Sequence, residues 1–178
     1  QMINNSTNRP KFIVGLDSTV DGLKKNVFND QIWPDIPKYS PNRFRYYTVE
    51  HGQTYAVNDI LGLNSNIRHP QLFDIWDGVT VKSYVTCHER LNSTAYLFSS
   101  EDVEQVLYFS DTGVNSFATC DWEGRLKAIW ADPALNPELL KAIFIEISFT
   151  NDVPPTQLFG HLRPIDLVKS LQWMKNQR

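Results

Sequence analysis

The 178-residue chain carries 17 Lys and Arg against 20 Asp and Glu, which gives a formal net charge of −3 without a block of like charge. This balance argues against a nucleic-acid partner, because neutralising phosphates requires clustered Lys and Arg. No apolar stretch is long enough to cross a bilayer, which argues against a membrane partner. We therefore predict a globular protein in which residues 1–178 form a single domain or a fragment of one.

The N-terminus and the cysteines bear on the compartment of the protein. Residues 1–10 are polar and are predicted to be a flexible or linker segment. They lack a charged region followed by an apolar one, so no signal peptide is visible, and we leave the cytoplasm and the periplasm as alternatives. Cys87 and Cys120 are too few for a disulfide framework, and we expect both to be free thiols.

The N-terminal part of the chain predicts a strand, a helix and a second strand. Lys11–Leu16 is a short apolar strand, and the helix begins at Asp17, which offers N-cap chemistry. Apolar residues keep helical spacing until Pro34 ends the helix. A proline-rich loop precedes a strand over Phe44–Val49, and the polar stretch Asn58–Pro70 predicts an irregular connection.

The C-terminal part alternates strand and helix patterns. In chain order it predicts a strand over 78–85, a hairpin of 95–98 with 106–109, a helix over 122–129, a helical turn over 137–141, a buried strand over 142–147 and an amphipathic helix from Pro164 to Leu171. Proline suits the first turn of that last helix, where its missing N–H is not needed. This order indicates the α/β class.

Two acids stand at or near the ends of apolar strands. Asp111 follows the strand that ends at Phe109, and Glu146 lies in the apolar run from Ala142. In open α/β sheets, ligands and metals gather in the crevice outside the strand ends. Asp111 has two interpretations: a turn residue whose neighbour Gly113 supplies an unusual backbone dihedral, or a metal ligand or general base.

Two histidines are candidates for the same site. His88 follows a predicted strand and is either a structural loop histidine or an imidazole ligand of a transition metal. His161 follows Gly160 and precedes a helix, where the field favours a phosphate oxygen; it is otherwise a capping side chain. A buried Glu146 needs a partner, and His161 is the candidate, oriented by the carboxylate for proton donation.

Several motifs in this order resemble the class II cyclic-nucleotide phosphodiesterases of the metallo-β-lactamase superfamily. They are Phe109–Gly113, Phe144–Phe149, Gly160–Pro164, the upstream stretch Val27–Asp35, and His88 with Asn92–Leu97. The resemblance covers most of the chain, from about Arg9 to Trp173.

The resemblance implies the fold, the reaction and the roles of the site residues. The fold would be part of an αββα sandwich, here its second half, with two divalent metal ions at one sheet edge. Zinc is the first choice, with manganese or iron as alternatives. His88 would be a ligand of one metal and Asp111 would bridge both. His161 would sit near the phosphate as proton donor or phosphate contact, oriented by Glu146. The substrate would be cAMP or cGMP and the product a nucleoside 5′-monophosphate.

The sequence departs from the family pattern in its ligands. The superfamily signature His-x-His-x-Asp-His is absent, as is a later Thr-His pair, so at least four expected ligand side chains are missing. We therefore expect an internal or C-terminal portion that is inactive alone and is completed by a missing N-terminal half, as a separate chain, or by a homodimer. The alternatives are a degenerate non-catalytic binding domain and another phosphoesterase of the superfamily.

Overall fold

Two sheets organise the part of the chain described by the computed structural model, which comprises residues 11–41, 43–62, 76–101, 103–113 and 120–176. The smaller sheet pairs strand β1 (Lys11–Leu16) in parallel with β2 (Phe44–Val49), both at the predicted positions. Helix α1 (Asp17–Asn26) forms the crossover between them and buries Val20 completely. A single helical turn, α2 (Ile36–Tyr39), precedes β2.

Helix α1 ends earlier than the sequence predicts. Apolar spacing extends the predicted helix towards Pro34, but the observed helix stops at Asn26. The side-chain oxygen of Asn29 accepts hydrogen bonds from the backbone N–H groups of Gln31 and Ile32, and Asp30 has a positive φ of 64°. These local bonds replace the helical ones, so the prediction of a longer helix is wrong.

The larger sheet has five strands in the order β3-β4-β5-β6-β7. Its strands are β3 (Thr54–Ala56), β4 (Val79–His88), β5 (Leu91–Ser100), β6 (Glu104–Phe109) and β7 (Leu140–Phe144). All neighbours are antiparallel except β6 and β7, which are parallel. The predicted hairpin is confirmed as β5 and β6. The described part of the stretch predicted as irregular contains a helical turn, α3 (Val57–Ile60); the remainder lies outside the described residues, as do residues 1–10.

Helices α4 (Trp122–Trp130) and α5 (Pro164–Asn176) cover one face of this sheet, and both confirm predicted helices. The core between the helices and the sheet combines aromatic residues with large aliphatic side chains of at most 2 % exposure: Leu97, Leu107, Leu126, Ile129 and Leu162. Trp130 joins the two helices by donating its indole N–H to the hydroxyl of Ser170 at 3.1 Å. Among the described residues, no helix is long and apolar enough to span a membrane.

Strand β7 differs from the predicted buried strand over 142–147. It begins at Leu140 and ends at Phe144, where its pairing with β6 stops. Phe144 is 56 % exposed and Ile147 47 % exposed, so the expected burial is wrong. Beyond the strand, the amides of Ser148 and Phe149 both donate to the carbonyl oxygen of Leu162. Glu146 therefore lies two residues after the strand, in the connection that follows it.

The cysteines are also corrected by the structure. Cys87 and Cys120 form a disulfide with their Cα atoms 6.0 Å apart, so neither is a free thiol. Cys87 is the penultimate residue of β4 and is fully buried, whereas Cys120 directly precedes the N-cap residue of α4 and is half-buried. The bond fixes the start of the helix to the end of the strand.

Candidate active site

Strand direction explains why the predicted site residues meet. Strands β4 and β6 are each antiparallel to β5, and β7 is parallel to β6, so all three run the same way and end at one edge of the sheet. His88 is the last residue of β4, Asp111 follows β6 by two residues, and Glu146 follows β7 by two. His161 comes from the loop before α5. The structure therefore brings all four predicted residues together.

Three of these side chains form a cluster that could hold a metal ion. One ligand atom from each of His88, Asp111 and His161 lies within 4.8 Å of the other two. Both imidazoles are half-buried and Asp111 is exposed. The Nε2 atoms of the two histidines are 3.3 Å apart. Two nitrogen ligands of a tetrahedral ion lie about 3.3 Å apart when each bond is about 2.0–2.1 Å, so the spacing of these two nitrogens is compatible with a shared metal ion.

Glu146 and His161 form a close pair on the other side of this imidazole. The Nδ1 atom of His161 lies 2.6 Å from Oε1 of Glu146, and the two side chains are 24 % and 17 % exposed. A carboxylate at Nδ1 favours the tautomer with the proton on that nitrogen, which leaves Nε2 facing the cluster. This geometry suits either of two roles for His161. It could be a proton donor or phosphate contact, as the resemblance implies, or a metal ligand whose other ring nitrogen is held by the Glu146 carboxylate.

Glycines allow the backbone carrying His161 to pack closely against the segments that follow β4 and β6. A Cβ added at Gly113 would collide with the backbone of His161. A Cβ added at Gly160, which has a φ of +86°, would collide with the backbone of His88 and Glu89. Gly113 itself has no positive φ, so the predicted dihedral role is wrong. The position instead requires glycine because the His161 backbone approaches so closely.

The carbonyl oxygen of Cys87 ties the Asp111 turn to the end of β4. It accepts a hydrogen bond from the amide of Gly113 at 3.0 Å and another from the hydroxyl of Thr112 at 3.1 Å. Thr112 is fully buried, so its hydroxyl needs this acceptor. Asp111 is thus held beside His88 through the peptide that precedes His88.

Two contacts on Glu146 were not predicted from the sequence. The Ser148 hydroxyl donates to Oε2 of Glu146 in a short hydrogen bond. The backbone amide of Thr112 donates to Oε1 at 3.2 Å. Ser148 could have been found from its spacing, because residues two apart in an extended segment share a side. The Thr112 contact depends on the meeting of two distant segments and has no local signal.

Comparison with known proteins identifies relatives of this chain. A sequence model of the cAMP phosphodiesterases class-II matches residues 1–178. A Dictyostelium discoideum protein named cAMP/cGMP-dependent 3′,5′-cAMP/cGMP phosphodiesterase A is 39 % identical over 160 residues, which cover 89 % of this chain and 34 % of that protein. An Aliivibrio fischeri 3′,5′-cyclic-nucleotide phosphodiesterase is 27 % identical over 181 residues, covering 98 % of this chain and 49 % of that protein.

A solved structure shows the fold. The crystal structure of unliganded yeast PDE1 superposes with a TM-score of 0.75 at 24 % identity, covering 98 % of this chain and 46 % of the yeast chain. The predicted mixed α/β class, as part of a metallo-β-lactamase-like sandwich, is confirmed. The chain spans between about a third and a half of the length of the curated relatives it matches. On the match over its whole length, the chain belongs to the class II cAMP phosphodiesterase family.

Proposed function

We propose that this protein takes part in the hydrolysis of a 3′,5′-cyclic nucleotide, cAMP or cGMP, to the nucleoside 5′-monophosphate. The observation that carries the proposal is the placement of the Glu146–His161 pair against His88 and Asp111. A proton-carrying imidazole beside a metal-binding cluster suits phosphodiester cleavage, which needs an activated water and a protonated leaving oxygen.

The residues divide the chemistry between them in this proposal. His88 would be a ligand of one divalent ion, and Asp111, whose carboxylate has two oxygens, would be a ligand shared by both ions. Imidazole and carboxylate donors suit zinc first, and manganese or iron next. When bound, such ions act as Lewis acids and generate a nucleophilic water at neutral pH. His161 faces the cluster with Nε2, from which its imidazolium form can protonate the leaving 3′ oxygen while Glu146 holds Nδ1.

The number of metal ligands in this chain indicates that a partner completes the site. His88 and Asp111 offer two donors, whereas a catalytic zinc takes three protein ligands. We propose that the remaining ligands come from outside the described residues, either from an N-terminal half as a separate chain or from a second copy. We accordingly expect the isolated 178-residue chain to be inactive with added Mn²⁺ or Zn²⁺, and robust cyclic-AMP hydrolysis by it would contradict this.

We also propose that the protein resides in an oxidising compartment. Of the two alternatives that the sequence left, this favours the periplasm over the cytoplasm. Support comes from the bond between Cys87 and Cys120, because disulfides persist where thiols are not kept reduced. Thiol counting on protein isolated under acid quench tests this. Two free thiols in protein taken directly from its native source would contradict the proposal.

Paired substitutions test the catalytic roles in the full-length protein. Asp111→Ala should abolish cyclic-nucleotide hydrolysis and lower the bound metal, because it removes the bridging ligand. His161→Ala should lower turnover while sparing metal content. Asp21→Ala, an exposed acid on α1, is the matched control and should change neither. Metal analysis after dialysis separates the roles: metal loss in His161→Ala would make His161 a ligand, and an active, metal-replete Asp111→Ala would refute the site.

A further inference from the structure

We propose that Ser148 is a positioning residue that holds the Glu146 carboxylate in register with His161; this inference rests on the proposed function. The Ser148 hydroxyl donates to Oε2 of Glu146, and Oε1 of the same carboxylate contacts Nδ1 of His161 at 2.6 Å. Each carboxylate oxygen thus has its own neighbour, and Ser148 occupies the one that His161 does not.

The Glu146 carboxylate needs this restraint because of where it lies. Glu146 follows the end of β7, so no ladder of strand hydrogen bonds fixes its backbone. The terminal torsion of a glutamate side chain is broad, and nothing intrinsic to it keeps one oxygen on His161. The Thr112 amide restrains Oε1 only, at 3.2 Å. Within the described residues, Ser148 is the side chain that fixes Oε2.

Ser148 is itself tied to the loop that carries His161. Its backbone amide donates to the carbonyl oxygen of Leu162 at 3.1 Å, and the Phe149 amide donates to the same oxygen at 3.2 Å. Leu162 is fully buried and directly follows His161, so this acceptor is a fixed point. Ser148 therefore links the segments that carry the pair: its hydroxyl binds Glu146, and its backbone amide binds Leu162, the residue that follows His161.

Because Ser148 lies at the surface, its positioning role can be tested without disturbing the fold. Ser148 is exposed as a residue and belongs to no core cluster. Removing the hydroxyl of an exposed residue leaves no cavity in the core, so the fold should tolerate alanine. A hydroxyl bond to a carboxylate is charge-assisted and stronger than a neutral one. Its loss should let the carboxylate rotate away from Nδ1 and lower the fraction of time in which His161 faces the substrate.

The test compares Ser148→Ala with Ser148→Thr, which retains the hydroxyl, and with the exposed control Ser18→Ala on α1. In the full-length enzyme, Ser148→Ala should lower kcat about fivefold to tenfold. KM and metal content should not change, since Ser148 bonds to Glu146 and Leu162 and lies outside the cluster of candidate metal ligands. Ser148→Thr should recover most of the rate, and Ser18→Ala should match wild type. A loss confined to KM, or an alanine variant with unchanged kcat, would overturn the inference.

A spectroscopic measurement does not depend on activity. In ¹⁵N-labelled metal-free protein, the Nδ1–H of His161 should give a low-field proton resonance, identified by its absence in Glu146→Ala. The resonance should broaden by exchange in Ser148→Ala and persist in Ser148→Thr. If the protein hydrolyses no cyclic nucleotide but these spectra behave as expected, the proposed function fails and the positioning by Ser148 stands. If the resonance is equally sharp in Ser148→Ala, the positioning by Ser148 fails, whatever the activity.

Discussion

Removing the disulfide between Cys87 and Cys120 should destabilise the fold and loosen the site together. The bond joins residues separated by 33 positions, and closing a loop of this length restricts the unfolded chain by about 3.7 kcal/mol in the loop-entropy relation. For a chain of 178 residues this corresponds to a fall in Tm of about 10 °C. Because the carbonyl of Cys87 also anchors Thr112 and Gly113, metal affinity at Asp111 should weaken as well.

The assay is thermal unfolding followed by circular dichroism, with and without a dithiol reductant, alongside metal titration. Wild type should lose stability on reduction, and Cys87→Ala/Cys120→Ala should be equally unstable in both conditions. The double variant is the control for side effects of the reductant, because the chain has no other cysteine. A wild-type Tm that does not change on reduction, with mass spectrometry showing an intact bond beforehand, would refute the reasoning. Equal metal affinity in both forms would refute the coupling to the site.

Two further predictions concern a close backbone approach and an ion pair. Gly113→Ala should lower the free energy of unfolding by about 1–3 kcal/mol and weaken metal binding, because the new Cβ would meet the backbone of His161. The control Gly22→Ala, in open space on α1, should instead raise the free energy of unfolding by about 0.5–1 kcal/mol in the same urea titrations. Burial alone would raise the pKa of Asp132, but the ammonium group of Lys82 lies 2.8 Å from its carboxylate and helps to hold that pKa below the usual 3.8. The stabilisation by this carboxylate is therefore present above about pH 4 and is lost as the pH falls through its lower pKa in the folded protein. In Lys82→Met the buried Asp132 carboxylate loses its partner, which should destabilise the fold most at neutral pH. The difference in the free energy of unfolding from wild type should narrow below about pH 4, and a difference independent of pH would contradict the pairing.

The sequence predicted those parts of the fold that depend on neighbours along the chain. Strands β1 and β2 and helix α4 follow from short-range alternation or helical spacing, and their observed bounds match the predicted ones closely. The candidate residues Asp111 and His161 were found from their place after an apolar strand and before a helix. Local pattern suffices in these cases because burial on one face sets the periodicity.

The features that the sequence did not predict depend on contacts between distant segments. The pairing of Cys87 with Cys120 requires α4 to begin beside the end of β4, which no spacing of two cysteines reveals. The early end of β7 follows from its partner strand, since Phe144 pairs with Tyr108 and β6 ends one residue later, at Phe109. The requirement for glycine at 113 arises from a backbone approach 48 residues away along the chain, at His161.

The precision of the site comes from residues that do no chemistry. Each candidate residue has a close neighbour in sequence that fixes it to another segment: Cys87 for His88, Thr112 for Asp111, Leu162 for His161 and Ser148 for Glu146. Most of these bonds use backbone carbonyls and amides, so side-chain substitution leaves them in place. The exceptions are the hydroxyls of Thr112 and Ser148, one fully buried and one exposed. Substituting Thr112 must therefore affect folding and the site together, whereas Ser148 allows the positioning of Glu146 to be measured alone.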